Sequence, residues 1–307
     1  MEKDLYSNRS VSACIKAAYS LFVLNARTIL RKTWLPVLAY ALILTGVVII
    51  NIPDKSIHDW GMRYPWVTTT AMTVVHVLSF VCSSWLVAKI VSLLNGLSVR
   101  RLFLRSVVLN VFVYLYTLLT TSLVSGYLQT LVMKLLALLK VSPESTAVAF
   151  VLTVAIILLL ITICMVPIDY ASTKYVIDPK TQLLQVVGQD FAVGMRHWGF
   201  WFLVRLIAII IMLLIAMLVM IPFFVLLFAQ VFNQLGMLGG DPDGTPSYFF
   251  SLFLAVSVLT FFVMGYELVW NLLVGYFAYG SVYTQEEEKK KHLKALQDNE
   301  TTENTVY

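Results

Sequence analysis

The sequence predicts an all-α fold: a polytopic membrane helical bundle with six transmembrane helices and flanking interfacial amphipathic helices. Three observations carry that reading. Hydrophobic residues make up 59% of the 307 and charged residues 13%, with a mean hydropathy of +0.83, whereas a soluble domain carries roughly 45–50% apolar and about 25% charged residues. Six stretches are apolar over about 20 residues or more, the length that crosses a hydrocarbon core of about 30 Å at 1.5 Å per residue. Between them, Lys and Arg collect in alternate connections.

The chain opens with a cytoplasmic interfacial segment, residues 1–32. Within residues 11–31, Val11, Ile15, Ala18, Phe22, Ala26 and Ile29 recur at helical spacing, opposite Lys16, Ser20, Arg27 and Arg31. An apolar stripe with a basic face predicts a helix lying in the headgroup layer of the inner leaflet, held by anionic lipid. Charges are scattered through this stretch, so no cleaved signal peptide is expected.

The membrane domain follows over residues 33–283, with spans near 33–52, 66–95, 106–139, 146–172, 199–229 and 247–283. The third and fifth are long for a single crossing, and each holds an interruption, Gly126 and Pro222. Both are expected to break there, leaving residues 127–139 and 223–235 along the interface. A second interfacial helix is expected near 181–198, where Leu184, Val187, Phe191, Met195 and Trp198 form a stripe opposite Gln185, Gln189 and Arg196. Sliding the first stripe onto the second also brings Arg27 onto Arg196 and Pro53 onto Pro222. That leaves two readings: an internal duplication, which with the basic segment 99–105 as a shorter copy would give three helical hairpins, or two unrelated amphipathic helices in chance register. Residues 284–307 are a charged cytoplasmic tail. Glu286 and Lys290 are spaced to pair at i,i+4, and the polar run after Gln297 is expected to be disordered.

Orientation comes from the basic residues. One side carries Lys3, Arg9, Lys16, Arg27, Arg31 and Lys32, then Arg100, Arg101 and Arg105, then Lys174, Lys180 and Arg196, and finally Lys289, Lys290, Lys291 and Lys294. The other carries only Lys55, Arg63, Lys134 and Lys140. The positive-inside rule places both termini in the cytoplasm, with Asp59, Ser142 and Asp241 outward, in a multi-pass protein of the inner membrane. Lys89 and Arg205 are expected to snorkel to the inner side. The net charge of +5 is spread along the span ends, which fits membrane lipids, including anionic inner-leaflet lipids, as partners and excludes nucleic acid. Membrane-protein partners stay open.

Ionisable residues deep in a span are functional candidates by default. His76 in the second span and Glu267 in the sixth lie at matching distances from the inner boundary, so they are placed to meet near the midplane and are expected to face the bundle interior. Either they form a proton-linked or ligand-binding pair, or a neutral His and a protonated or hydrogen-bonded Glu stitch helices together. Asp169, two residues after Pro167, sits at the inner end of span four. It either lines a cytoplasmic vestibule or stays hydrated at the headgroups. The hydroxyls of Thr117, Thr120, Thr121, Ser122 and Ser125 read as helix packing or back-bonding before a pore. Cys14, Cys82 and Cys164 form no CxxC pair, so neither a disulfide framework nor a zinc site is expected. No HExxH, GxSxG, GxxxxGK[ST] or GxGxxG occurs, and no cofactor is expected.

The opening SVSACIKAAYSLFVLNARTILRKTWLPVLAYALIL and the later GQDFAVGMRHWGFWFLVRLIAIII resemble uncharacterised bacterial six-span membrane proteins of the YciC type. These are related to the membrane domain fused to some glycerophosphodiester phosphodiesterases. The resemblance is one of layout. It implies an integral membrane protein and no phosphodiesterase activity, since the catalytic barrel has no counterpart here. The expected function is a non-enzymatic membrane accessory or a lipid- or small-molecule-handling component. The alternative is a transporter or intramembrane enzyme built on His76 and Glu267.

Overall fold

Residues 5–51, 63–139 and 143–304 are described by a computed structural model, and among them there is no strand. The helices are α1 (Val11–Leu24), α2 (Ala26–Asn51), α3 (Pro65–Asn95), α4 (Val99–Leu139), α5 (Pro143–Ile177), α6 (Leu183–Val187), α7 (Gln189–Arg196), α8 (Trp198–Val219), α9 (Ile221–Leu238) and α10 (Phe249–Asn304). Seven of them, α2, α3, α4, α5, α8, α9 and α10, are long and apolar enough to cross a membrane. The all-α polytopic class is as predicted, with seven such helices where six apolar stretches are expected. Pro53, Asp59 and Ser142 lie outside the described residues.

The extra helix comes from Pro222. Proline has no N–H, so the carbonyl of Leu218 loses its helical donor, while proline is tolerated in the first turn of the helix that follows. The chain turns at Met220, while Met220 N–H still donates to Ala216 O at 2.8 Å and Phe224 N–H to Met220 O at 2.9 Å. The break expected at Gly126 is absent: α4 runs unbroken from Val99 to Leu139. One glycine costs a helix only about 1 kcal/mol, less than leaving backbone groups unpaired in lipid.

Both interfacial elements are divided more finely than the periodicity indicates. The first ends at Leu24, and Asn25 donates its side-chain Nδ2 to Leu21 O at 3.0 Å. Arg27, Arg31 and Lys32 therefore belong to the start of α2. The second is cut at Gly188 and again at His197. In the sliding register Asn25 would fall on Gly194, inside α7, so the two breaks do not superimpose. Of the second stripe, Leu184, Val187 and Met195 are exposed, while Val186, Asp190 and Gly194 are the buried positions. An exposed apolar stripe is what an interfacial helix presents to lipid.

α10 is 56 residues long, roughly 84 Å at 1.5 Å per residue, so it extends well past any bilayer. Its helical assignment continues through Asn304. Lys290 pairs with Glu287 at 3.0 Å, an i,i+3 contact, and the expected Glu286–Lys290 pair is replaced by contacts of Glu286 described below.

The chain divides into two compact units. The first comprises Met1–Ile15, Val108–Leu206 and Gly275–Tyr307, and the second Lys16–Val107 and Ile207–Val274. In the second, α2 packs along α3. Its core gathers Ala41 of α2, Phe223 of α9 and Phe253 and Phe261 of α10, with Met220, Leu44 and Val256 around them. The Phe223 ring lies 5.8 Å from that of Phe253 and 5.4 Å from that of Phe261. Gly265 lets α10 close on α2, because a Cβ there would sit 2.6 Å from Val37 Cγ1. Buried hydroxyls bond back one turn, Thr33 to Ile29 O and Ser257 to Phe253 O, both at 2.7 Å.

In the first unit, α5 carries α6 and α7 on its flank. Pro167 explains part of this arrangement. Lacking N–H, it frees the carbonyl of Ile163 one turn earlier, and the indole Nε1–H of Trp198 donates to that carbonyl at 3.3 Å. Gly194 of α7 presses on the same proline, where a Cβ would lie 2.4 Å from Pro167 O.

Candidate functional site

The first unit concentrates its charges at one end of α5. Asp169 and Arg205 form an ion pair through Oδ2 and Nε. The sequence assigns these residues separately, Asp169 to a cytoplasmic vestibule or to hydration at the headgroups and Arg205 to snorkelling, and the structure joins them. Arg205 lies over the Trp201 ring, 5.6 Å from its centroid. A Cβ on Gly275 would stand 2.9 Å from its Nη2, so glycine leaves room for the guanidinium. Tyr170 meets Trp201 edge-on at 6.0 Å and Tyr279 at 5.8 Å.

Two further pairs complete this end. Lys174 Nζ contacts Asp190 Oδ1 at 2.5 Å. Asp190 is only 3% exposed, and its place in the first turn of α7 also suits the positive end of the helix dipole. Glu286 of α10 accepts from Arg196 Nη1 at 2.8 and 3.0 Å and lies 2.8 Å from His197 Nε2. These contacts take Glu286 from the partner its own helix offers.

The N-terminal residues are strapped to the middle of α10, at residues 277–283. Leu5 is buried, and a Cβ on Gly280 would lie 2.2 Å from Leu5 O. Arg9 N–H donates to Ser281 Oγ and Ser281 Oγ–H to Arg9 O, each at 2.9 Å. The Arg9 guanidinium sits 5.1 Å from the Phe277 centroid, and Tyr6 packs on Tyr283 at 5.0 Å. Cys14 is fully buried below the strap. Burial pushes its thiol up to about 11 against the opposing pull of Arg9.

In the second unit, the midplane candidates part company. Glu267 is half-buried, and its Oε1 is enclosed without a hydrogen-bond partner among the described residues; so is Trp270 Nε1, one turn further along α10. His76 is exposed, with Nδ1 2.7 Å from Met72 O on its own helix. No hydrogen bond or ion pair joins His76 to Glu267 among the described residues. The interior-facing expectation therefore fails for His76: the buried positions of α3 gather in its later half, at Ser84, Leu86, Ala88, Ile90, Val91 and Leu94.

In α4, Thr117 donates to Val113 O and Ser125 to Thr121 O, at 2.7 and 2.6 Å, the back-bonding expected of that run. Tyr116 OH crosses to Cys164 O at 3.0 Å. Past α9, Asp243 accepts from Thr245 N–H at 2.9 Å, from Thr245 Oγ1–H at 2.7 Å and from Asn233 Nδ2–H at 3.1 Å. Those bonds hold its carboxyl below the usual range, the Thr245 backbone bond contributing most. No group of three or more His, Cys, Asp or Glu is placed to hold a metal among the described residues.

No protein-family model, curated protein or solved structure matches this chain.

Proposed function

We propose that this chain is a multi-pass protein of a cytoplasmic membrane, with both termini in the cytoplasm, that acts without enzyme chemistry of its own as an accessory handling lipid at the inner leaflet. The observation that supports the reading is a set of exposed basic and apolar residues in the second unit. Lys16, Arg27, Arg31, Lys32, Arg100 and Arg101, in α1 and at the starts of α2 and α4, are exposed, and so are Tyr19, Leu24, Leu30, Trp34 and Leu104. Guanidinium and ammonium groups pair with headgroup phosphates, while aromatic and aliphatic neighbours reach the acyl boundary. The strap of residues 5–9 along residues 277–283, at the middle of α10 and near the end of its apolar stretch, supports placing both termini on one side. The layout resemblance to YciC-type proteins points the same way.

The test compares lipid around the purified chain in bilayer discs of phosphatidylcholine mixed with phosphatidylglycerol. Each basic residue near an anionic surface contributes about 1 kcal/mol. Removing Lys16, Arg27 and Arg31 together, as glutamines, should therefore abolish most of the phosphatidylglycerol enrichment. Equal enrichment in the parent and the triple variant rejects the reading. Reporter fusions at Lys180 and Asp241 check the orientation, and a cytoplasmic Asp241 overturns it.

One observation favours a second reading, a proton-linked transporter or intramembrane enzyme. The enclosed Glu267 Oε1 has no hydrogen-bond partner among the described residues, and an uncompensated acid in a span is costly. On that reading Glu267→Gln abolishes a pH-driven flux in proteoliposomes without lowering expression. On the accessory reading the amide is tolerated.

A further inference from the structure

A groove of about 480 Å³ lies along α4, lined by Ser122, Leu123, Gly126, Tyr127, Thr130 and Lys134. It is remote in sequence from the basic residues just described. Counted along α4 from Arg105, the last basic residue at its start, Ser122 is roughly 26 Å away, Gly126 roughly 32 Å and Lys134 roughly 44 Å at 1.5 Å per residue. The hydrocarbon core is about 30 Å thick, so the groove begins at the far acyl boundary and ends in the far headgroup layer.

Its chemistry changes along that length. At the deep end are Ser122, the side chain of Leu123 and Gly126, whose Cβ position has no atom of the described residues within 4 Å. Tyr127 is 77% exposed, and its ring stands at the level where interfacial aromatics settle. Thr130 Oγ1–H is already committed to Gly126 O at 2.7 Å, leaving its oxygen only as an acceptor. Lys134 is exposed at the shallow end and forms no ion pair among the described residues. A cation in the headgroup layer, an aromatic below it and a mostly apolar floor of Leu123 and Gly126 beside Ser122 match the phosphate, the glycerol region and an acyl chain of one phospholipid.

We propose that this groove is a binding site for one anionic phospholipid in the outer leaflet, with its phosphate on Lys134 and an acyl chain over Gly126 and Leu123. This deepens the lipid-handling reading, and it rests on that reading only for the chain's place in the bilayer.

The test is native mass spectrometry of the full chain released from detergent with added dioleoylphosphatidylglycerol or dioleoylphosphatidylcholine. The parent should retain one phosphatidylglycerol in preference to phosphatidylcholine. Lys134→Gln should weaken that adduct about fivefold, and Lys134→Arg should keep it. Gly126→Leu should remove it by filling the floor, and because leucine favours helix over glycine this variant keeps α4 intact. The triple substitution of Lys16, Arg27 and Arg31 should leave this single adduct in place, so failure of the inner-leaflet reading and failure of this one are read separately. Equal retention of the two lipids by the parent, or unchanged retention in both Lys134→Gln and Gly126→Leu, overturns the proposal. A change of oligomeric state in Gly126→Leu with unchanged lipid adducts assigns the groove to a second copy of the chain and overturns it as well.

Discussion

Gly280→Ala isolates the contact between the N-terminal strap and α10. The added methyl would lie 2.2 Å from Leu5 O, 2.6 Å from Leu5 Cδ1 and 2.9 Å from Leu5 C. Two of those atoms are backbone, so no rotamer change relieves the overlap and the strap itself must lift. Lifting exposes a leucine side chain, about 2 kcal/mol, and breaks two hydrogen bonds between Arg9 and Ser281, about 1 kcal/mol each net. Part of that is regained when Arg9 and Ser281 bond to water and the strap resettles, so a net loss of about 3 kcal/mol is expected, within the range for overpacking a close contact. At about 1.4 kcal/mol per tenfold, the open population of the strap should rise by roughly a hundredfold. Hydrogen–deuterium exchange of the peptide covering residues 5–10 measures this directly, since the Arg9 amide donates to Ser281 Oγ. Ser281→Ala removes the two bonds without the clash and should show a smaller increase. Exchange in Gly280→Ala indistinguishable from the parent would refute the close approach of Leu5 to α10.

Trp198→Phe keeps the ring but removes the indole donor to Ile163 O, and should lower stability by about 1–2 kcal/mol through an orphaned carbonyl; thermal denaturation in detergent unchanged from the parent would show that the carbonyl is satisfied otherwise. Cys14 should resist maleimide in the native protein at pH 8, where a thiol at about 11 is ionised in only about one molecule per thousand, and should react once the chain is unfolded; rapid native labelling contradicts the burial. Asp243 is held below the ordinary carboxylate range, so its folded-state stabilisation is present above its unfolded value and is lost as pH falls through the lowered folded one. Protection of the Thr245 amide should therefore persist at pH values where an unperturbed Asp is already protonated, and Asp243→Asn should weaken it at neutral pH.

Counting residues orders positions along a helix, and it does not give the direction around it. Counting residues placed His76 and Glu267 at comparable levels, but a level does not fix which way a side chain points. Only Glu267 proved partly enclosed. The apolar character that identifies α3 as a span is nearly uniform around it, so periodicity could not tell its protein-facing side from its lipid-facing side. The proline effects show the same division. That Pro167 and Pro222 each free a carbonyl follows from covalent structure alone. That Trp198 supplies the missing donor for one of them depends on where α7 and α8 return to α5. Glu286 shows where local rules fail, since an i,i+4 lysine was available and the carboxylate instead took Arg196 and His197, which lie far away in sequence.

What holds the first unit together also explains why its glycines differ. Helices in lipid are not driven together by the hydrophobic effect, because acyl chains are as apolar as leucine; close van der Waals approach and polar pairs take its place. Gly194, Gly275 and Gly280 each stand where an atom from elsewhere in the unit would lie within 3.0 Å of an added Cβ: Pro167 O, Arg205 Nη2 and Leu5 O. Each accompanies a polar contact nearby, Trp198 to Ile163 O, Arg205 to Asp169, and Arg9 to Ser281. Gly126 has no neighbour of this kind among the described residues. It costs α4 helix propensity without gaining a close contact within the unit, and the groove it floors is where a ligand from outside the chain would return that loss.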